Sequence, residues 1–271
     1  MVSELATSVV PRSKCLKGVR SLNRGLLGLY PIIALAIVWE LVARYSDVSA
    51  VLLPPFSSTV LKFFDMILAG DLLNDLGVTA LRAAAGLVLA LVSGTLVGLL
   101  MARLRALRWF FEPIIAIGLP TPTIMLLPAF LIWFGIGSWS KILLTAVTCF
   151  FPVALSAYSG AVSVDEKLLW SAQSLGSNPK DLLQKVIFPA SLSYIFAGTR
   201  VAVPLAVIIT ILSEMIAGGG GLGAQLTESY RFLDSTAEYA TLIMILIFGY
   251  LLDQLLLFAL KRFAPWTSGV Q

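Results

Sequence analysis

Six stretches of this chain stay apolar for about the 20 residues that a helix needs to cross a hydrocarbon layer roughly 30 Å thick. They lie near residues 26–43, 83–102, 113–134, 142–162, 195–217 and 240–260. None shows the strict apolar–polar alternation of a membrane-barrel strand. Because a lipid-facing backbone must satisfy its own hydrogen bonds, the pattern predicts an all-α polytopic protein with six transmembrane helices. The polar residues between the spans are unevenly charged. Thirteen basic residues fall on one side: Arg12, Lys14, Lys17, Arg20 and Arg24 before the first span, Arg103, Arg105 and Arg108 after the second, Lys167, Lys180 and Lys185 after the fourth, and Lys261 and Arg262 after the sixth. The opposite loops hold Lys62 and Arg231, with Arg44 and Lys141 at their margins. They are otherwise acidic, through Asp47, Asp65, Asp71, Asp75, Glu228, Asp234 and Glu238. Basic loops stay on the cytoplasmic face, so both termini are expected there.

Composition then removes whole classes of function. The 271 residues are 58% hydrophobic and 13% charged, against about 45–50% and 25% in soluble domains. One soluble core cannot bury so many apolar runs, which excludes an ordinary cytosolic enzyme. The chain has no histidine, and so lacks the commonest general base and metal ligand. Cys15 and Cys149 lie far apart without CxxC spacing, so neither a disulfide framework nor a metal site is expected. The basic tail precedes an apolar run too long for a secretory signal, and no clean small-x-small site follows it. It reads as a solvated arm; without interleaved aromatics it offers nothing to nucleic acid.

The loop over residues 163–194 is patterned rather than merely polar. Ser163 and Glu166 have capping-box spacing, which predicts a helix starting near Val164. Leu168, Ala172 and Leu175 recur at i, i+4 and i+7 on one face. Gly176 follows where a left-handed cap belongs. Asn178 is then placed to cap a second helix with Pro179 first and Asp181 in its opening turn. Leu182, Leu183, Val186 and Ile187 give that helix an apolar stripe, and Pro189 is expected to end it. Two short amphipathic helices hinged at a glycine can lie in the headgroups or dock into a groove on a soluble partner.

The residues of that loop carry a resemblance. Trp170-Ser171-Ala172-Gln173-Ser174-Leu175-Gly176-Ser177, followed by Val186-Ile187-Phe188-Pro189-Ala190, resembles the EAA loop of type I ABC importer permeases. Ala172, Leu175, Gly176, the Val186 to Pro189 spacing and Ile195 follow the family pattern, whereas Trp170, Ser171 and Ser193 replace its Glu, first Ala and second Pro. The run from Leu126 to Gly137, LLPAFLIWFGIG, is similar to that of the nitrate/sulfonate/taurine subfamily. So are Phe150-Phe151-Pro152, Gly160, Val164-Asp165, Gly198-Thr199-Arg200, Ser213-Glu214-Met215 and Gly221-Leu222-Gly223. The resemblance runs over about residues 30–266.

It implies a subunit of an ATP-driven importer of the bacterial inner membrane that catalyses nothing itself. A basic arm (1–25), a first span with its outer loop (26–75), a five-span core (76–262) and a tail (263–271) would make up the chain. ATP and Mg would sit on a separate ABC ATPase, present in two copies. Trp170, Ser171, Ala172, Gln173, Leu175, Gly176 and Ser177 would form the contact to that ATPase. An extracytoplasmic solute-binding protein would deliver substrate, and a second permease, as a homodimer, would complete the pathway. The subfamily implies a sulfonate, taurine or nitrate-like anion, although relatives carry pyrimidine vitamin precursors. The sequence agrees on catalysis, since Gly218–Gly221 lacks the Lys and Ser/Thr of a phosphate loop; this run is expected to be a flexible outward turn.

Charges inside the spans need partners or a purpose. Arg200, Glu214, Asp253 and Glu40 stand as isolated charges. Arg200 and Glu214 are about 21 Å apart along one helix and cannot pair directly. Interhelical pairing and snorkelling compete with a pathway role for Arg200 and Glu214. In the third span, Pro120-Thr121-Pro122-Thr123 sits among four prolines, so helix should break over 119–123. Such a break marks either a pathway or a packing kink. An ion-coupled carrier or channel would show more intramembrane charge or a repeated half; a membrane enzyme would show clustered His, Cys or carboxylates.

Overall fold

The apolar runs fold as helices, and in the computed structural model, which describes residues 16–263, no strand occurs among the described residues. Side-chain surroundings are described for residues 30–259, so Arg12, Lys14, Cys15, the arm's remaining side chains, Lys261, Arg262 and the tail lie outside them. The chain divides into two compact units between Leu61 and Lys62. In the first, α1 (Leu16–Tyr45) contains the first apolar run. Trp39 donates to the Pro54 carbonyl at 3.0 Å. Glu40 accepts from the Ser57 amide and hydroxyl, both at 3.0 Å, and from Arg44 at 2.5 Å. Glu40 is therefore not an isolated charge. The next helix, α2 (Phe56–Ala69), crosses the unit boundary.

In the second unit, α3 (Asp71–Met101) is followed by α4 (Arg105–Gly118), a single 3-10 turn and α5 (Leu127–Phe134). After α6 (Ser138–Val162) come α7 (Glu166–Ser174), the short α8 (Pro179–Asp181) and α9 (Phe188–Ala217). The helices α10 (Leu222–Arg231) and α11 (Ser235–Phe263) close the chain. Helices at Asp71–Met101, Ser138–Val162, Pro179–Ala217 and Ser235–Ala259 are long and apolar enough to cross a membrane. The predicted third span is the bent pair of α4 and the segment Thr123–Phe134, which meet at 101°. Prolines 120 and 122 supply no amide hydrogen, so the ladder stops at Gly118 where the sequence places the break.

The core of this unit is a layer of α3, α6 and α9 packed through small residues. A Cβ on Gly86 would lie 2.7 Å from that of Thr145, and one on Gly94 would lie 3.0 Å from that of Val153. Between α9 and α6, a Cβ on Gly198 would lie 2.7 Å from that of Ser156. The backbones approach closely because no side chain intervenes, as small-residue helix pairs do in lipid. Ala90, Cys149, Val153, Ala202 and Ala206 fill the middle of the layer.

Two expected helix boundaries are corrected. Ser163 does not open α7: α6 runs to Val162, and Ser163 keeps helical backbone while its hydroxyl donates to Gly160 at 2.9 Å. An N-cap needs extended backbone, which Asp165 supplies at ψ 126, accepting from the Lys167 amide at 2.9 Å. Pro189 does not end the second helix. Residues Leu182–Ile187 form a π turn that leads directly into α9, and the whole runs as one helix of 39 residues from Pro179 to Ala217. The wider π turn accommodates the missing proline amide and its ring.

Candidate functional site

The loop over residues 163–194 is built in the order its residues dictate. Asp165 caps α7 and Gly176 ends it at φ +83, a left-handed conformation that other residues adopt only with strain. Gly176 donates to Gln173 at 2.9 Å and Ser177 to Ala172 at 3.1 Å, the paired bonds of a Schellman cap. Asn178 then accepts from the Lys180 and Asp181 amides at 3.1 and 2.9 Å. A hydrogen bond from Lys185 holds the Asp181 carboxyl below the usual range.

The expected apolar faces divide differently. Leu169 and Ala172 pack inward against Leu99, Ala161, Val164, Leu182 and Ile187. The second stripe is consumed there too, with Leu182 and Ile187 buried and Leu183 and Val186 packed beside them. Leu168, Trp170 and Leu175 remain exposed, Leu175 by 87%. Ser171, Gln173 and Gly176 are also exposed, while Ser177 is half-buried. A cavity of about 440 Å³ opens between the end of α3 and this loop, lined by Leu100, Arg103, Gln173, Ser177 and Lys180 among others.

At the break, Pro120, Thr121 and Pro122 are exposed. Thr121 bonds back to the Ile117 carbonyl at 2.6 Å, and buried Thr123 shares a 2.6 Å hydrogen bond with Thr148 of α6. Arg200 is exposed on α9 and Asp253 on α11, and neither has a partner among the described residues. Glu214 is fully buried and far from both.

Glu214 belongs instead to a polar knot that the sequence pattern does not reveal. Arg82 on α3 donates to Glu214 at 2.7 Å, to the Gly220 carbonyl at 2.7 Å, to the Gly219 carbonyl at 2.8 Å and to Ser138 at 3.0 Å. Thr79 and the Gly223 amide complete the carboxylate at 2.8 and 3.2 Å. Asp75 accepts from the Gly221 amide at 2.8 Å. Lys141, counted in the sequence as a loop residue, is fully buried and donates to the Gly218 carbonyl. The glycine run is thus no flexible turn. Its four residues have φ of 66°, 80°, 79° and 99°, and two cations hold three of its carbonyls. Arg82 escaped notice because it sits one residue before an apolar run, in neither a loop nor a span. The available signal was a lone cation and a lone carboxylate, each at the outer end of a span.

No group of three or more His, Cys, Asp or Glu residues that could hold a metal occurs among the described residues. The knot's acid and base neutralise one another, so its chemistry is structural. The chain has relatives among known proteins. It is 32% identical over 250 residues to the taurine transport system permease protein of Escherichia coli (strain K12), covering 90% of this chain and 91% of that one. It is 29% identical over 243 residues to an aliphatic sulfonates transport permease protein of Bacillus subtilis (strain 168), covering 90% and 88%. The formylaminopyrimidine transport permease protein of Halalkalibacterium halodurans is 28% identical over 217 residues, 80% of this chain and 86% of that one. The fold matches a chain of the MetNI methionine ABC transporter in an inward facing conformation, with TM-score 0.59, 21% identity, and 70% and 93% of the two chains covered. Residues 94–269 match the model of the binding-protein-dependent transport system inner membrane component. The chain belongs to that family of transport permeases.

Proposed function

We propose that this chain is the translocating, non-catalytic half of an ATP-driven importer in a bacterial inner membrane, crossing it six times with both termini in the cytoplasm. The arm (1–25), first span and outer loop (26–75), five-span core (76–262) and tail (263–271) divide the work. ATP and Mg reside on two copies of a separate ABC ATPase; an extracytoplasmic binding protein supplies substrate, and a second copy of this chain completes the passage. The observation that carries the reading is α7. Leu169 and Ala172 brace it on the span layer, while Leu168, Trp170 and Leu175 face outward for a partner. Ser171, Gln173, Gly176 and Ser177 are the remaining contacts. ATP-driven closure of the partner would move α7, and α9 with it, giving alternating access. Pro120, Thr121, Pro122 and Thr123 form the hinge of the broken span and Arg200 lines the passage, whereas Glu214 fixes its outer rim.

The taurine and sulfonate permeases among the relatives support a small organic anion as substrate. The formylaminopyrimidine permease supports a second reading, a pyrimidine precursor. The test is uptake by proteoliposomes containing this chain, its ATPase and its binding protein. Uptake should require all three with ATP. Leu175→Asp and Gly176→Asp should leave membrane insertion intact but uncouple ATP hydrolysis from transport, losing roughly tenfold or more of uptake, as expected when a docking contact of ~1.4 kcal/mol or more is lost. Uptake that persists without the ATPase would sink the reading.

A further inference from the structure

We propose that Arg200 is the residue that selects for anions midway through the membrane, which rests on the importer reading above. Its depth is set by packing. Arg200 lies two residues from Ala202, whose carbonyl accepts from Cys149 and which packs with Ala90 and Val153 at the middle of the three-helix layer. Along α9 it stands 13 residues after Ile187, in the cytoplasmic cluster, and 14 before Glu214, in the outer knot. At about 1.5 Å per residue, both ends are some 20 Å away. Neither end is within reach of an arginine side chain.

The side chain is also directed outward from the fold. Thr199, Ala202, Val203 and Ala206 are buried, whereas Ala197, Arg200, Val201, Pro204 and Ile208 form an exposed stripe. The buried charges at the far end of α9 have partners: Arg82 pairs with Glu214 and donates to the Gly219 and Gly220 carbonyls, and Lys141 donates to the Gly218 carbonyl, within a knot that also includes Asp75. Arg200 has no partner among the described residues. A permanently charged guanidinium at mid-depth is tolerated where water or a counter-charge reaches it. The stripe therefore faces an aqueous passage, and the counter-charge is the cargo. Five N–H donors in a planar fork match two oxygens of a sulfonate or carboxylate. A neutral solute gains nothing from them.

The complete complex with ATPase and binding protein, reconstituted in proteoliposomes, provides the test with taurine and ethanesulfonate as probes. Wild type should take up at least one of them. Arg200→Gln should lower that uptake ten- to a hundredfold, the loss expected for a hydrogen bond to a charged group, and Arg200→Lys should restore part of it. In a Cys15→Ser background, the Arg200→Cys variant should react with a membrane-impermeant, sulfonate-bearing methanethiosulfonate. A wild type that transports neither probe under ATP would overturn the substrate reading above and this proposal with it. A transporting wild type matched by Arg200→Gln would overturn this proposal alone. So would an unreactive Arg200→Cys, or recovery of uptake in the swap Arg200→Asp with Asp253→Arg, which would make Arg200 half of an ion pair.

Discussion

The buried Arg82 guanidinium donates four hydrogen bonds, to Ser138, Glu214 and the Gly219 and Gly220 carbonyls. Removing either member of a buried pair leaves the other desolvated and unanswered, at about 3–5 kcal/mol. Arg82→Ala should therefore lower the thermal stability of the detergent-solubilised protein markedly, and Glu214→Ala should do the same. The double variant should lose clearly less than the two single losses combined, because both delete one unit. Simple additivity in the unfolding measurement would argue that the residues act separately. At Gly221 the reason for glycine is steric twice over: its φ of 99° is left-handed, and a Cβ there would collide with the Glu214 carboxylate. The charges Glu214 and Arg82 were each visible in the sequence, but their meeting across 132 positions was not. Only the close packing of α3 against α6 and α9 brings them together.

At the scale of elements, the loop 163–194 shows what local chemistry does and does not determine. Gly176 and the Asn178-Pro179 cap are readable because each rests on backbone geometry within three residues. The misplaced start of α7 arose from Ser163, whose capping-box spacing is real but whose backbone α6 already claims. Asp165→Ala should cost α7 about 1 kcal/mol and speed amide exchange in its first turn roughly fivefold. Ser163→Ala should leave that exchange unchanged; an equal effect would restore the sequence-based assignment. Pro189 misled for a related reason, because a stop signal holds only if the preceding turn is α-helical. The apolar stripes predicted exposed surfaces for docking, yet Leu182 and Ile187 are consumed by the chain's own core. Periodicity marks a face without saying what covers it.

Across the whole molecule, the four long apolar helices and the broken third span were the most legible features, since the thickness of a bilayer imposes their length. The bent third span was also foreseen from its prolines, although 101° makes it two helices rather than a kinked one. Charge asymmetry makes a claim that labelling can check. The Glu228→Cys variant should react with an impermeant maleimide on intact cells, while Lys167→Cys should react only after permeabilisation. The reverse pattern would invert the orientation. At Asp234, burial raises the carboxyl but the Ala237 amide and Lys62 together hold it below the usual range. The 3.2 Å pair with Lys62 should thus persist at neutral pH and weaken only as the pH falls below the range in which an ordinary carboxyl titrates.

The unbroken run from Pro179 to Ala217 has a mechanical meaning. Its 39 residues make a rod of about 58 Å, beginning beside α7 and ending at the clamped glycines. A push delivered at one end needs no relay of side chains to be felt at the other. The far mouth and the near mouth are then fixed to one lever, so opening one while the other stays as it was would require that lever to bend. Strict alternation between the two faces of the membrane would follow from the stiffness of a single helix.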